Sequence, residues 1–131
     1  MRWKYSCPHC HGHLNPDDTV VLVAEHAGKR ILMGLHPEPG VYSLYSPDDF
    51  PIREGSRWLL RCPLCHADLR SEISEDLANL DLAAGDQIHR VYFSRIAGER
   101  ATFVINAEGL MKDYGIHTDH YLENLVHRSF R

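Results

Sequence analysis

The sequence predicts a mostly β fold of the small α+β class, with antiparallel β-hairpins, a meander and a short C-terminal helix. Three observations lead to this prediction. Runs of β-branched and aromatic residues recur along the chain, turns that contain glycine or proline separate them, and an apolar stripe at helical spacing occurs near the end. A chain of 131 residues has the usual size of one domain with its own core, so we expect a single domain over residues 1–131.

Two β-hairpins are predicted from these runs. The first pairs TVVLVAEH at 19–26 with ILMGL at 31–35, across the turn AGKR. The second pairs IHRVYFSR at 88–95 with the segment 101–106, across the turn IAGE. The second hairpin and a strand before it together form the expected meander.

Shorter segments connect the hairpins. VYSLYS at 41–46 alternates as a strand does, and RWLLRC at 57–62 is a strand that leads into a cysteine motif. The segment 72–78 has apolar residues at helical spacing and is predicted as a short helical turn, followed by a strand around 80–82.

The last predicted element is a short helix over HYLENLVHR, residues 120–128. Thr118 or Asp119 can cap its N-terminus. Its apolar stripe consists of Tyr121, Leu122, Leu125 and Val126.

Composition is that of an ordinary folded protein outside the membrane. Hydrophobic residues make up 44% of the chain and charged residues 24%, and the longest apolar run covers only residues 20–24. Such a run is far shorter than the roughly 20 residues of a membrane span, and the N-terminus lacks the apolar core of a signal peptide. We therefore expect a cytoplasmic protein without membrane contact. The formal net charge of -4 does not favour nucleic acid as a partner.

One short motif occurs twice in the chain. CPHCHGHL at 7–14 and CPLCHADL at 62–69 share the pattern Cys-Pro-x-Cys-His-x-x-Leu. Two Cys-x-x-Cys pairs supply the four thiolates of a tetrahedral zinc site, because the two-residue gap lets both sulfurs of a pair face one ion. The predicted metal ligands are Cys7, Cys10, Cys62 and Cys65. A site closed by four cysteines has no position for activated water, so we expect no catalysis at the metal.

Two other functions of the cysteines stay open. Iron in rubredoxin uses the same ligand set, and a redox-active dithiol or disulfide uses the same motif. The 51 residues between Cys10 and Cys62 depart from the compact plan of rubredoxin, which favours structural zinc. The repeated His11 and His66 are expected to flank the thiolates by packing or hydrogen bonding.

At CPHC and CPLC the chain resembles the zinc-ribbon class, in which two Cys-Pro-x-Cys knuckles bind one structural zinc. The segment VYFSRIAGERATFVI at 91–105 is similar to the tail of small uncharacterised bacterial zinc-ribbon proteins. The resemblance implies one structural Zn²⁺ per chain. It also implies a role at a protein interface or within the transcription or translation machinery.

The sequence contains no motif of a known catalytic class, such as a Walker loop or a nucleophile elbow. We therefore expect no enzyme, but a zinc-stabilised binding or regulatory module that contacts a protein partner through Tyr42, Tyr45 and Phe50. The first alternative is a nucleic-acid-associated module, and the second is a thiol redox or rubredoxin-like electron-transfer protein. The basic residues of the first alternative are Arg2, Lys4, Lys29, Arg30, Arg90, Arg95 and Arg100.

Two further groups of residues are candidates for ligand binding. His117 and His120 could share a metal ion, although two histidines without a third ligand are more typical of a surface. The tip of the second hairpin could bind an anion or be an ordinary charged turn. The tip residues are Ser94, Arg95, Glu99 and Arg100.

Overall fold

A computed structural model describes residues 3–47, 52–118 and 121. This part of the chain contains nine strands, and every strand pair is antiparallel. The strands are β1 (Lys4–Ser6), β2 (Val20–His26), β3 (Lys29–Leu35), β4 (Leu44–Tyr45), β5 (Leu59–Arg61), β6 (Leu77–Ala84), β7 (Gln87–Ser94), β8 (Thr102–Ile105) and β9 (Met111–Tyr114).

The strands form two sheets. Sheet A has the order β1-β6-β7-β8-β9, and sheet B has the order β4-β3-β2-β5. In sheet A the strands β6 to β9 form a meander. The strand β1, from the start of the chain, pairs with β6 at one edge of this meander. In sheet B the hairpin of β2 and β3 is flanked by two short edge strands.

The main core lies between the two sheets. Because successive side chains of a strand point to opposite faces, every second residue of each central strand contributes to it. Leu22 in sheet B and Leu80 in sheet A are 0% and 2% exposed, and both belong to this core cluster. Burying an aliphatic side chain of this size stabilises the fold by roughly 1.5–3 kcal/mol. The inward residues of β2 and β6 are Val20, Leu22, Ala24, Ala78, Leu80 and Leu82.

A second, smaller cluster covers part of the other face of sheet A. Tyr92 and Phe103 are directly opposite each other on β7 and β8 and belong to this cluster. The ring of Tyr121 packs edge-on against Phe103, with the centroids 6.4 Å apart. Sheet A is therefore buried on both faces around β7 and β8.

The structure confirms both predicted hairpins. The first consists of β2 and β3, joined by a turn in which Ala27 and Gly28 have positive φ. The second consists of β7 and β8. The predicted strand over 41–46 shortens to the two residues of β4, and both of these are exposed. Two strands, β1 and β9, were not predicted.

The α+β assignment was wrong, because none of the nine elements in the described part of the chain is a helix. The fold is all β there, and the structure does not support the predicted C-terminal helix. Apart from Tyr121, the range 120–128 of that helix lies outside the described residues. Among the described residues, no helix has the length and apolar character needed to cross a membrane.

The helical turn predicted over 72–78 is replaced by bends at 72–73, a non-helical turn at 75–76 and the start of β6 at Leu77. The local hydrogen bonds of Ser71 give the reason. Its hydroxyl donates to the carbonyl oxygen of Ser74 (2.9 Å) and accepts from the backbone N–H of Ser74 (3.1 Å). Together with the bond from the N–H of Ser71 to the carbonyl oxygen of Leu77 (2.8 Å), these bonds close residues 71–77 into a loop that leads into β6.

Candidate metal centre

The two cysteine motifs follow two short strands that belong to different sheets. Cys7 comes directly after β1, at an edge of sheet A, and Cys62 comes directly after β5, at an edge of sheet B. An ion held by both motifs would therefore connect the two sheets.

The repeated sequence adopts a repeated backbone conformation. In the first motif, the N–H of Cys7 donates to the carbonyl oxygen of Gly12 (3.0 Å), and the N–H of His11 donates to that of Cys7 (2.9 Å). These two bonds close a tight knuckle around the cysteines. The corresponding bonds of the second motif run from Cys62 to Ala67 (3.0 Å) and from His66 to Cys62 (3.0 Å).

The repeated histidines occupy a special backbone position in each knuckle. His11 and His66 have φ values of 62° and 65°, in the left-handed region. Histidine is several-fold enriched there among residues other than glycine. The backbone conformation thus gives one reason for a histidine at both positions. The predicted contact of the imidazoles with the thiolates stays a prediction.

The four sulfurs have the separations of a tetrahedral metal site. All lie within 4.8 Å of one another, and the pairs Cys7 to Cys65 and Cys10 to Cys62 are each 3.8 Å apart. A tetrahedron with metal–sulfur bonds of about 2.3 Å has sulfur–sulfur edges of about 3.8 Å. A disulfide needs about 2.05 Å, and all four cysteines are free. The donor set therefore fits one metal ion.

Backbone N–H groups surround the sulfurs on the protein side. The Cys7 sulfur accepts from the N–H groups of His9 (3.3 Å) and Cys10 (3.4 Å). The Cys62 sulfur accepts from those of Leu64 (3.3 Å) and Cys65 (3.5 Å). Such bonds spread the negative charge of a thiolate and orient it toward an ion.

The four thiols differ in environment. Cys7 and Cys62 are buried, whereas Cys10 and Cys65 are exposed. Without an ion, burial raises the pKa of Cys7 to about 12, although the N–H bonds from Cys10 and His9 act in the opposite direction. Burial also acts to raise the pKa of Cys62, but the N–H bonds from Cys65 and Leu64, together with the bonds from the Cys65 and Cys7 thiols, outweigh it and lower that pKa. An ion must therefore displace a firmly held proton at Cys7.

The predicted anion site at the second hairpin is not assembled, because Arg95 points into the protein. Its side chain is 9% exposed, and its Nε donates to the carbonyl oxygen of Trp58 (2.8 Å). Its Nη1 donates to the carbonyl oxygen of Glu75 (2.5 Å). Burial lowers the pKa of this guanidinium.

Two of the other tip residues, Ser94 and Glu99, are hydrogen-bonded to each other. Glu99 accepts hydrogen bonds from the hydroxyls of Ser94 (2.7 Å) and Tyr121. The guanidinium of Arg100 lies over the ring of Tyr42, 5.9 Å from its centroid.

The predicted pairing of His117 with His120 has one member outside the described residues, His120. His117 Nδ1 accepts the backbone N–H of Arg100 at 2.9 Å. Within the described part of the chain, the four cysteines are the one group of three or more potential ligands close enough to hold a metal ion.

The aromatic residues predicted to contact a partner differ in exposure. Tyr45 is 58% exposed on β4. Tyr42 is half-buried, and its hydroxyl donates to the carbonyl oxygen of Tyr114 (3.0 Å). Phe50 lies outside the described residues. Sequence reasoning missed Leu32, which is 62% exposed although it sits in the middle of a strand.

The basic residues of the nucleic-acid alternative do not all reach the surface as unpaired charges. Arg95 is buried, Arg30 pairs with Glu25 at 3.4 Å, and Arg90 lies 3.7 Å from Glu72. Arg2 lies outside the described residues. No observation therefore favours nucleic acid over a protein partner.

Comparisons with protein-family models, curated proteins and solved structures found no match. The likeness to zinc ribbons rests on the four cysteines and their two knuckles.

Proposed function

We propose that the four cysteines hold one structural zinc ion and that the protein is a non-enzymatic module, stabilised by this ion, that binds a protein partner. The arrangement of the four sulfurs carries the metal part of this proposal, with two edges of 3.8 Å and backbone N–H groups directed at Cys7 and Cys62. Four thiolates with no open position suit a structural role.

The ion acts as a cross-link between distant parts of the chain. Cys10 and Cys62 enclose 51 residues, which include all of β2 to β5. For a covalent cross-link, closing a loop of this length stabilises the folded state by about 4 kcal/mol in the chain-entropy model. A bound zinc ion offers a comparable restraint as long as its bonds persist.

Metal analysis tests the first half of the proposal. Protein purified without a nickel column is analysed for zinc and iron, and its thermal unfolding is followed with and without a strong chelator. We expect one zinc per chain and a large fall in melting temperature after chelation. One iron per chain, or cysteines oxidised to disulfides, would contradict the proposal and favour electron transfer.

The outer face of sheet B supports the second half of the proposal, the binding of a protein partner. Leu32 and Tyr45 are 62% and 58% exposed, and Val23 lies directly opposite Leu32 on β2. Val21 and Tyr45 lie on either side of Gly34, where the absent side chain leaves the Tyr45 ring close to the strand. An exposed apolar patch on a sheet face is typical of a protein-binding surface.

Site-specific photo-crosslinking tests this surface. A benzophenone amino acid at position 32 is expected to crosslink one specific protein, and the same group at the exposed turn residue Asp86 is not. Tyr45→Lys is expected to abolish that crosslink while leaving zinc content and melting temperature unchanged. Equal labelling at both positions, or labelling insensitive to Tyr45→Lys, would argue against a binding face here.

A further inference from the structure

A large open cavity lies between the two sheets. Its volume is about 680 Å³, which is within the roughly 300–1,000 Å³ of small-molecule sites. Sheet B contributes Met33 and Leu35, and sheet A contributes Leu80, Val91 and Phe93. The four cysteines do not line it, so the cavity is separate from the metal centre.

The floor of the cavity is apolar. Trp58 and Leu60 reach it beside the sheet residues, and both are 3% exposed. Protein interiors normally close such spaces, since cores pack with few voids larger than a water molecule. The apolar surface that is open to an occupant therefore belongs to the less buried lining residues, such as Leu35, Phe93 and Ile96.

Hydrogen-bond donors stand at the rim. The Nδ1 atom of His36 accepts the N–H of Glu38 (3.1 Å), so the neutral imidazole carries its proton on Nε2 and donates from there. Arg100 is exposed and is held over the Tyr42 ring. None of the ion pairs among the described residues includes Arg100. Both His36 and Arg100 line the cavity.

Two of the three acidic residues of the rim, Glu99 and Glu54, contact neighbouring residues. Glu99 accepts bonds from the hydroxyls of Ser94 and Tyr121. The side chain of Glu54 lies against Gly98, where an added Cβ would come within 2.5 Å of it. Glu38 is exposed beside His36. Among the described residues of the rim, Arg100 is the exposed cation without an ion-pair partner, and it is the charge that an acidic ligand can neutralise.

We propose that this cavity binds a small amphiphile whose apolar chain lies between the sheets and whose carboxylate lies at the rim beside Arg100. The apolar floor selects the chain, and the guanidinium and the imidazole N–H of the rim select the acidic end.

Calorimetric titration of the zinc-loaded protein tests the proposal with three probes of equal chain length, namely decanoate, decanol and decylamine, each below its micelle concentration. We expect one decanoate per chain, bound more tightly than decanol and decylamine. Arg100→Gln should weaken decanoate binding about tenfold and leave decanol binding unchanged, because one charge-assisted bond is lost. Absence of saturable binding, a preference for decylamine, or an unchanged decanoate affinity in Arg100→Gln would overturn the proposal.

A cavity-filling variant tests the location. Ala97 lines the cavity and is half-buried, so Ala97→Phe should abolish binding of all probes that bind the wild type. Leu32→Phe, a change on the outer face of sheet B, is the matched control and should bind as the wild type does. If Ala97→Phe does not unfold cooperatively, Leu35→Phe at the cavity wall replaces it. Binding that survives in a folded cavity-filled variant would place the probes elsewhere and refute the site.

Discussion

His11 and His66 have a backbone conformation that few side chains tolerate, and this conformation closes each cysteine knuckle. The left-handed region costs an ordinary L-residue roughly 1–2 kcal/mol and costs glycine almost nothing. The tight turn therefore restricts which residues fit at positions 11 and 66, whatever the imidazole itself contributes.

Substitutions at His11 separate the two roles. We expect His11→Gly to keep the stability and zinc affinity of the wild type, and His11→Val to lose about 1–2 kcal/mol, because a β-branched residue resists positive φ. Chemical unfolding of the zinc-loaded variants and competition with a chelator measure both quantities. If His11→Gly loses zinc as readily as His11→Val, the imidazole itself supports the metal site.

The hydroxyl of Tyr5 is a buried donor. It donates to the carbonyl oxygen of Pro37 (2.6 Å), and both residues are buried. Tyr5→Phe leaves that carbonyl without its partner, so we expect a loss of about 1–3 kcal/mol in urea unfolding. Tyr45→Phe, at a residue that is 58% exposed, is the control and should change stability little. Equal effects of the two variants would contradict the importance of this bond.

Tyr5 also makes the stability of the protein depend on pH in the alkaline range. Burial raises the pKa of Tyr5 above its ordinary value near 10. The unfolded chain therefore releases this proton first, and the contribution of Tyr5, complete below pH 10, is lost as the pH rises above it. The wild type should lose more stability than Tyr5→Phe between pH 9 and 11, measured by unfolding at each pH. Parallel curves would show that Tyr5 ionises equally in both states.

The sequence was sufficient to predict the four ligands because the knuckle is local. Each Cys-Pro-x-Cys pair places its two sulfurs through its own backbone, and the motif is visible in adjacent residues. The direction of Arg95 could not be predicted in this way. Its bonds to Trp58 and Glu75 depend on how three separated segments meet, which no local pattern records.

At the scale of elements, the approach of β9 to the start of β8 requires a glycine. Gly115 has φ of +100°, and an added Cβ would clash with the carbonyl oxygen of Arg100 and lie 2.7 Å from the Tyr42 hydroxyl. The carbonyl of Arg100 also accepts the N–H of His117 (2.9 Å), so it cannot easily move away.

Gly115→Ala is expected to destabilise the protein by more than the cost of positive φ alone. Gly109 offers the matched control, since it has φ of +86° and nothing within 4 Å of an added Cβ. We expect about 1–2 kcal/mol for Gly109→Ala and a clearly larger loss for Gly115→Ala, measured by urea unfolding. Equal losses would mean that the backbone near Arg100 relaxes freely.

The hairpins were predictable from the sequence and the edge strands were not. In β2 and β7 the run of β-branched and aromatic residues is long enough to be recognised as a strand. The strand β1 has only three residues, and β9 has four residues of which three are exposed. Their sequences are therefore too short to show a strand pattern. Both are strands because a neighbouring strand of sheet A, β6 for β1 and β8 for β9, offers them hydrogen bonds.

At the scale of the whole molecule, the metal centre and the core connect the sheets in different ways. The core joins the central strands, whereas the cysteines join the edges formed by β1 and β5. Removal of the ion should therefore loosen these edges first.

Hydrogen exchange measures this order. After chelation we expect faster amide exchange in the edge strands β1 and β5 and little change in β7 and β8, which are interior strands of sheet A. Cys65→Ser, which removes one ligand at an exposed position, should reproduce the pattern without chelator. Uniformly faster exchange in all strands would instead show that the ion supports the whole fold as one cooperative unit.

With an ion bound, residues 11–61 become a ring whose two ends meet at the metal. The entropy of closing a ring changes only slowly with its length, since each doubling of a flexible loop costs about 0.6 kcal/mol. The segments between β3 and β5 run within this ring and can thus gain residues at small cost to ion binding. Gly55 is exposed, and no other group lies within 4 Å of a Cβ added there. A peptide inserted at this position would therefore be displayed on a loop whose two ends stay joined by the metal ion.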